Sequence, residues 1–275
     1  MSALGLGLGL GLGAHRKVGG AGNKPATFTV TSGDGAKYVR VQVSETTTVT
    51  PVGGTSIRIG SSGDFVTTPL TLAANTNQDI YFKDAGSFTI PQRKLVTYLY
   101  LFNLGSSGIT VDITGMELTY LFLNNTGSSV ITGDITGMKL TRLAMNDFGS
   151  SVITGKITGE ELTDMRLINI GSSLAYGASS MNISYNYGIQ LQGDTVFATA
   201  AEYAQLLHDA ATGTWSEAYP FRIDAGTTEN CPDWDEVKAD VAVLLTKAAW
   251  TIIPSAWLSA NGGTWPEDWD EYTGE

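Results

Sequence analysis

One 22-residue sequence motif occurs twice in succession in this chain, and this repeat determines the predicted fold. The stretch "LTYLFLNNTGSSVITGDITGMK" (118–139) is followed directly by "LTRLAMNDFGSSVITGKITGEE" (140–161). An earlier copy, "VTYLYLFNLGSSGITVDITGME", occupies 96–117, and a partial copy, "LTDMRLINIGSSLAYG", occupies 162–177. Self-similarity at a fixed step of about 20 to 50 residues is typical of solenoid proteins, in which each repeat forms one coil. We therefore expect 22-residue coils that stack on one another.

Each copy opens with the spacing Leu-x-x-Leu-x-Leu, which predicts a short strand whose alternate side chains point into a core. The inward positions of three copies are Leu118, Leu121 and Leu123, then Leu140, Leu143 and Met145, then Leu162, Met165 and Leu167. One coil cannot bury these side chains alone, but coils stacked about 4.8 Å apart can cover one another. Neighbouring copies should therefore form continuous apolar columns.

At these residues the chain resembles the leucine-rich-repeat family, in the form found in phages of Bacteroidota and in Bacteroidota surface proteins. The resemblance rests on the leucine spacing and on "ITGDI" and "ITGKI", which resemble the Leu-x-Gly-x-Ile turn of that family. It covers residues 80–177 and departs from the family pattern at the Asn column, which stands one residue early. The resemblance implies a leucine-rich-repeat-like solenoid.

Outside the repeats the residue pattern changes. Alternation in "TFTVTS" and "YVRVQVS" indicates a small antiparallel β-domain, and Ile80 and Phe82 match the inward leucines of a shortened first coil. Two helical patterns after residue 190 indicate α/β coils, with strands opening at Phe221 and Thr251. The predicted fold is mainly β with C-terminal α/β coils, divided into a leader (1–24), a small β-domain (25–79), a solenoid (80–190), an α/β cap (191–260) and an acidic tail (261–275).

The chain opens with a strict Leu-Gly alternation. Its leucines would lie on one face of a strand, at positions Leu4, Leu6, Leu8, Leu10 and Leu12. Glycine at every second position is too flexible to fold alone, but a strand edge offered by a partner could order it. We expect these leucines to anchor the chain to other virion proteins, since such openings resemble structural proteins of Bacteroidota phages. A disordered leader is the alternative.

Charge is distributed unevenly along the chain. Residues 1–94 carry a net charge of +4, whereas residues 176–275 carry −12. Because phosphate contacts need lysine and arginine, the acidic region argues against a nucleic-acid partner; the acids could also serve only to keep an exposed end soluble. No apolar run approaches the roughly 18 residues that a membrane span needs, so we expect none.

The residue inventory gives no catalytic constellation. One cysteine, Cys231, and two histidines, His15 and His208, exclude a disulfide framework and a thiolate or histidine-rich metal site. His208 lies in a predicted helix, where we expect it to be partly buried. The acidic runs at 233–236 and 267–272 lack the calcium-binding loop pattern. We therefore expect no catalytic residue, no metal and no cofactor, although paired carboxylates need share no motif.

The outward positions of the strands predict a binding surface. They are occupied by Tyr98, Tyr100, Phe102, Tyr120, Phe122 and Asn124, with Arg142 and Arg166 in the same columns of later copies. A sheet face with this many aromatic side chains usually marks a contact, and aromatic residues and arginine are enriched in interfaces. Three interpretations stay open: the β-domain covers this face, two or three copies associate through it, or a host-surface protein or glycan binds it.

These features together predict a non-enzymatic structural or adhesion protein. We expect a phage virion component, in a fibre, a decoration or the tail, that is anchored by its N-terminus and presents a repeat surface. The alternative is a bacterial cell-surface leucine-rich-repeat adhesin. That alternative requires export, whereas Arg16 and Lys17 follow the apolar stretch and so reverse the order of a secretory signal. A solenoid carbohydrate-active enzyme is the weaker alternative.

Overall fold

The structure is a computed structural model, and it shows a chain that is mainly β, with mixed sheets and two α-helices among the residues it describes. The described residues are 24–30, 37–102, 108–124, 130–135, 138–146, 152–154, 156–159, 161–168, 173–185, 188–192, 196–223, 232–248 and 251–252. The mainly β prediction is confirmed.

Seven described strands precede the repeats, and the ladders that join them to one another are antiparallel. They are β1 (Ala26–Val30), β2 (Lys37–Val43), β3 (Thr47–Val52), β4 (Ile57–Ile59), β5 (Leu70–Leu72), β6 (Gln78–Phe82) and β7 (Gly86–Ile90). A 3-10 turn at Arg93–Leu95 leads into the repeats. Burial alternates along β1, where Ala26, Phe28 and Val30 are buried, as expected for strands with one face on a core.

The strands of the repeat region and the C-terminal region are shorter on average and are joined by parallel pairings. They are β8 (Val96–Phe102), β9 (Ile109–Asp112), β10 (Tyr120–Asn124), β11 (Val130–Asp134), β12 (Arg142–Asn146), β13 (Val152–Thr154), β14 (Lys156–Ile157), β15 (Asp164–Ile168), β16 (Ser173–Tyr176), β17 (Asn182–Ile183), β18 (Ile189–Gln192), β19 (Val196–Phe197), β20 (Thr214–Trp215), β21 (Phe221–Ile223) and β22 (Thr251–Ile252). Helix α1 (Ala200–Thr212) precedes β20, and helix α2 (Trp234–Lys247) precedes β22.

Two large sheets contain most of these strands. A ten-stranded sheet has the order β22-β21-β18-β15-β12-β10-β8-β2-β6-β4, and a seven-stranded sheet has the order β13-β11-β9-β1-β7-β3-β5. Buried residues from both sheets belong to one hydrophobic core cluster. Phe82 of the first sheet and Phe88 of the second are in contact, with ring centroids 5.2 Å apart. The core therefore lies between the two sheets.

The 22-residue period of the sequence sets the register of the ten-stranded sheet. Leu121 pairs with Leu99 on one side and with Leu143 on the other, and Leu143 pairs with Met165. These four side chains are at most 1% exposed, so the predicted inward columns are confirmed. The step changes after the repeats, because Phe221 pairs with Thr251 across a helix-containing connection.

A column of threonines, at Thr97, Thr119, Thr141 and Thr163, joins the repeats at the start of each strand. The backbone N–H of Thr141 donates to the carbonyl of Thr119 (2.7 Å), and so does its hydroxyl (3.0 Å). Thr119 makes the same two bonds to Thr97, and Thr163 makes them to Thr141. Neighbouring repeats therefore satisfy each other's polar groups at this column.

The predicted first coil at Ile80 and Phe82 is wrong. Strand β6, which contains both residues, is antiparallel to β2, and β2 rather than β6 lies beside β8. The inward residues match the leucine pattern because any half-buried strand alternates with period two, whichever way it runs. The predicted boundary between residues 79 and 80 falls inside β6, and β2–β8 and β1–β9 pairings join the two regions.

Candidate binding surface

The side of the ten-stranded sheet that points away from the core, called the outer face below, carries the predicted binding residues. Its side chains alternate with the buried inward residues and stand in rows across the strands. One row contains Gln42, Tyr98, Tyr120, Arg142 and Asp164. The next row contains Asp79, Arg40, Tyr100, Phe122, Ala144, Arg166, Gln190 and Arg222.

A stack of flat side chains runs through the first row. The rings of Tyr98 and Tyr120 are parallel within 5°, with centroids 4.3 Å apart. The guanidinium of Arg142 lies 4.7 Å from the centre of the Tyr120 ring and 3.6 Å from that of Tyr185. Two rings 4.3 Å apart cannot lie side by side in one plane, so they meet face to face, one strand spacing apart. Their edges must therefore point away from the sheet.

A tight turn places Tyr185 beside this stack. Gly188 donates its N–H to the carbonyl of Tyr185 (2.9 Å) and has a φ of +56°, which side chains rarely allow. A Cβ at Gly188 would also lie 2.0 Å from the carbonyl oxygen of Pro220. Only glycine fits this turn, and the turn leaves Tyr185 40% exposed next to Arg142.

The N-terminal strands carry similar contacts between arginine and aromatic side chains on the same face of the sheet. Arg40 lies over Tyr100, with its guanidinium carbon 5.6 Å from the ring centre, and makes a bidentate pair with Asp79 (2.6 and 3.0 Å). Tyr38 and Tyr81 have ring centroids 5.3 Å apart. Arg58 lies over both Tyr81 (5.1 Å) and Phe65 (4.6 Å). Arg40 and Arg58 thus lie against aromatic rings in this part of the sheet, as Arg142 does in the repeats.

One ion pair of the outer face is buried. Nε of Arg142 lies 2.5 Å from Oδ2 of Asp164, whose side chain is 1% exposed while that of Arg142 is 25% exposed. Burial raises the pKa of the Asp164 carboxyl, although the charge of Arg142 and its hydrogen bond act in the opposite direction. The buried carboxylate of Asp164 therefore holds the more exposed guanidinium of Arg142 in position.

The hydroxyls of Tyr98, Tyr100 and Tyr120 stay protonated at neutral pH. Burial raises the pKa of Tyr98, Tyr100 and Tyr120 above the ordinary phenol value. For Tyr120 the positive charge of Arg142 opposes this effect and is outweighed. Each phenol can therefore act as a hydrogen-bond donor as well as an acceptor.

Most of the predicted binding residues are brought together. A continuous series of contacts joins Tyr98, Tyr120, Phe122, Tyr100 and Arg142, and Arg166 stands in the row of Phe122. The backbones of Phe102 and Asn124 lie in β8 and β10, but their side chains lie outside the described residues. The predicted anchor leucines, Leu4, Leu6, Leu8, Leu10 and Leu12, also lie outside them, and docking to other virion proteins stays a prediction.

The sequence prediction missed the N-terminal share of this surface. Tyr38, Arg40, Tyr81 and Arg58 are outer-face residues, and the strands that carry them, β2, β6 and β4, continue the same sheet outward from β8. These strands therefore widen the outer face and do not fold over it. The alternation in "KYVRVQV" and "QDIYF" indicates that their aromatic and arginine side chains lie on one face of a strand. Only the pairing of β2 with β8 shows that this face is the outer face of the repeats.

His208, the described residue that was considered for chemistry, does not belong to the outer face. His208 is on α1, where its ring is 56% exposed and Nδ1 lies 3.4 Å from a carboxylate oxygen of Asp240, so the expectation of partial burial is wrong. Cys231 lies outside the described residues. In the part of the chain that the structure describes, no three His, Cys, Asp or Glu residues are grouped as a metal site would require. Within the same ranges, neither helix is long and apolar enough to cross a membrane.

The chain was also compared with protein-family models, with curated proteins and with solved structures, and none of them matches it. What the outer face can do must therefore be argued from its residues.

Proposed function

We propose that this chain is a non-enzymatic structural or adhesion protein, a phage virion component, whose outer face binds a protein or glycan on a host surface. Its repeats would form a leucine-rich-repeat-like solenoid, as the 22-residue register of parallel strands supports. The observation that carries the binding proposal is the stack of Tyr98, Tyr120, Arg142 and Tyr185 on the outer face.

The stack is suited to binding because its side chains are already fixed. Tyr120 is held between Tyr98 and Arg142, and Arg142 is held by Asp164. Side chains that are fixed before binding lose little conformational entropy when a partner arrives, and this loss is a large cost of association. Tyrosine and arginine are also the residues that most often contribute strongly to binding energy.

The size of the face also favours a large partner. Outward aromatic and arginine side chains occur on six adjacent strands, from β4 to β12. At about 4.8 Å between strands, these span about 24 Å, a width that suits a macromolecular surface. The described outer-face residues form a sheet surface and not a cleft around a reacting group, which supports binding rather than catalysis.

The proposal is tested by measuring how fluorescently labelled full-length protein binds to fixed Bacteroidota cells. The Tyr120→Ala variant, which removes the centre of the stack, should weaken binding about tenfold or more, a typical effect for a central interface aromatic. Val243→Ala, which truncates a 40% exposed side chain on α2, is the matched control and should bind like the native chain. Circular dichroism shows whether both variants fold.

Equal binding by the Tyr120→Ala variant and the native chain would rule out the outer face as the adhesive surface. Peptide mass spectrometry of purified phage particles tests the virion location separately. Absence of the chain from the particles of a phage that encodes it would contradict that part of the proposal.

A further inference from the structure

Arginine is concentrated on the outer face of an otherwise acidic chain. Five of the seven arginines in the sequence stand at outward positions of the ten-stranded sheet, namely Arg40, Arg58, Arg142, Arg166 and Arg222. In the described strands of that sheet, only Asp79 and Asp164 are acidic at outward positions. The outer face therefore has a net charge of +3 on a chain of net charge −11.

Stacking makes the surface of this face electropositive and rich in donors. The negative faces of the Tyr98 and Tyr120 rings are turned toward each other and toward Arg142, so the positive ring edges point outward. The guanidinium groups carry N–H donors and no acceptor, and the phenols remain protonated. A segment with several carboxylates and aromatic rings would complement this surface in charge and in shape.

The sequence of this chain contains such a segment. Residues 265–275, "WPEDWDEYTGE", have five carboxylate side chains and no lysine or arginine, together with two tryptophans and a tyrosine. Arginine pairs well with carboxylates and with the faces of aromatic rings, and tryptophan gives the strongest cation–π contact. This segment, called the acidic tail segment below, lies outside the described residues.

The chain leaves the ten-stranded sheet at a point from which this segment can reach the outer face. Strand β22 is at the edge of the sheet, and Ile252 pairs with Arg222. Twelve residues lie between Ile252 and Trp265, enough to span about 40 Å when extended. The six strand spacings from β22 to β8 amount to about 29 Å. A tethered segment also has an effective concentration in the millimolar range, so weak contacts suffice to hold it.

We propose that the acidic tail segment docks on the outer face of its own chain and occupies the surface that an external partner uses. The inference rests on the proposed function in that it takes the outer face as the binding surface. An external partner must then displace the segment, and neutralising the segment exposes the face. The tail thereby regulates adhesion by competition.

The test uses the full chain with one spin label. On a Cys231→Ser background, which removes the only cysteine, Gly274→Cys is labelled and nuclear relaxation of side-chain signals is measured. Signals of Tyr98, Tyr120 and Arg142 should broaden, whereas those of Thr110 and Thr132 on the seven-stranded sheet should not. Broadening should disappear at about 1 M salt, where the screening length is about 3 Å. It should also disappear when the five carboxylates of the segment become amides.

Two controls make the outcome decisive. Asp235→Asn with Glu236→Gln removes exposed carboxylates of α2 and should leave the broadening unchanged. Mixing spin-labelled chains with isotope-labelled chains that carry no spin label reports contacts between molecules. Broadening that is absent from the outer face, or that arises only in this mixture, overturns the proposal.

The cell-binding assay separates this inference from the proposed function. With the segment neutralised, the full chain should bind cells several-fold more tightly, because the competing segment is gone. If Tyr120→Ala weakens cell binding while the spin label broadens no outer-face signal, the adhesion proposal stands and the tail docking fails. If the outer face broadens while Tyr120→Ala leaves cell binding unchanged, the tail docks and the adhesion proposal fails.

Discussion

The N-terminal strands β1–β7 and the repeat strands β8–β13 and β15 belong to the same two large sheets, but their strands pair in different directions. The N-terminal strands are antiparallel and share no repeated sequence. The repeat strands of both sheets are parallel, and in the ten-stranded sheet each aligns with the strand 22 residues away. The comparison shows that a repetitive stack and a non-repetitive unit can share one core when their end strands pair.

The N-terminal strands lie against one end of the repeat strands in both large sheets. Strand β2 pairs with β8, and β1 pairs with β9, so the first repeat has no free strand edge in either sheet. An uncovered edge would expose unpaired backbone groups and invite aggregation. The Arg93 side chain also joins the two regions, because its guanidinium donates to the carbonyl oxygen of Pro25 in the N-terminal region and to that of Thr114 in the first repeat. The N-terminal strands therefore cover the edges of β8 and β9 in the two sheets.

The largest effect is expected from truncating one core side chain in each region. Leu143→Ala in the repeats and Ile80→Ala in the N-terminal unit should each reduce the free energy of unfolding by about 2 to 5 kcal/mol, because both side chains are fully buried. Since the sheets run through both regions, each variant should unfold in one transition, measured by urea denaturation with fluorescence and circular dichroism. Two separate transitions would show that the regions are independent domains.

A smaller effect is expected from the threonine column, which only the repeats possess. Thr141→Val keeps the shape but removes the hydroxyl that donates to the carbonyl of Thr119, and should cost about 1 kcal/mol in unfolding free energy. Thr132→Val, at an exposed position of β11, is the matched control and should change stability little. Thr141→Ser should retain most of the stability; a loss as large as that of the valine variant would contradict a role for the hydroxyl.

The smallest effect concerns two aspartates whose pKa values move in opposite directions. Burial acts to raise the pKa of Asp112, but hydrogen bonds from Thr114 and Arg93 lower it overall. The stabilisation from Asp112 is therefore present above about pH 4 and lost as the pH falls through its folded pKa. For Asp164 burial raises the pKa, so its contribution declines as the pH rises from about 4 through the folded pKa.

Urea denaturation between about pH 3 and pH 7 measures both contributions. The stability difference between the native chain and Asp112→Asn should grow with pH and then level off, by no more than about 1 kcal/mol, since the Asp112 side chain is half exposed. The difference for Asp164→Asn should shrink over the range above pH 4. Slopes of the same sign for the two variants would refute the assigned shifts.

The sequence was most informative where it repeated. The period placed Leu121, Leu143 and Met165 in one buried column, and the alternation placed Tyr98, Tyr120 and Arg142 on the opposite side. It failed at Ile80 and Phe82, because alternation gives the face of a strand but not its direction or its neighbour. Every copy also contains the threonine of the column, but a hydroxyl pattern on its own does not indicate a bonding partner.

The sequence by itself determined the mainly β fold, the register of the parallel strands and the content of each sheet face, because a fixed period and strand alternation are local properties of the chain. Only the tertiary structure decided that β2 lies beside β8, that Arg40 and Tyr81 thereby join the outer face, and that Tyr185 lies against Arg142. Those contacts join residues that no repeat relates. They depend on which buried surfaces fit together, and the packing of the whole core determines that fit.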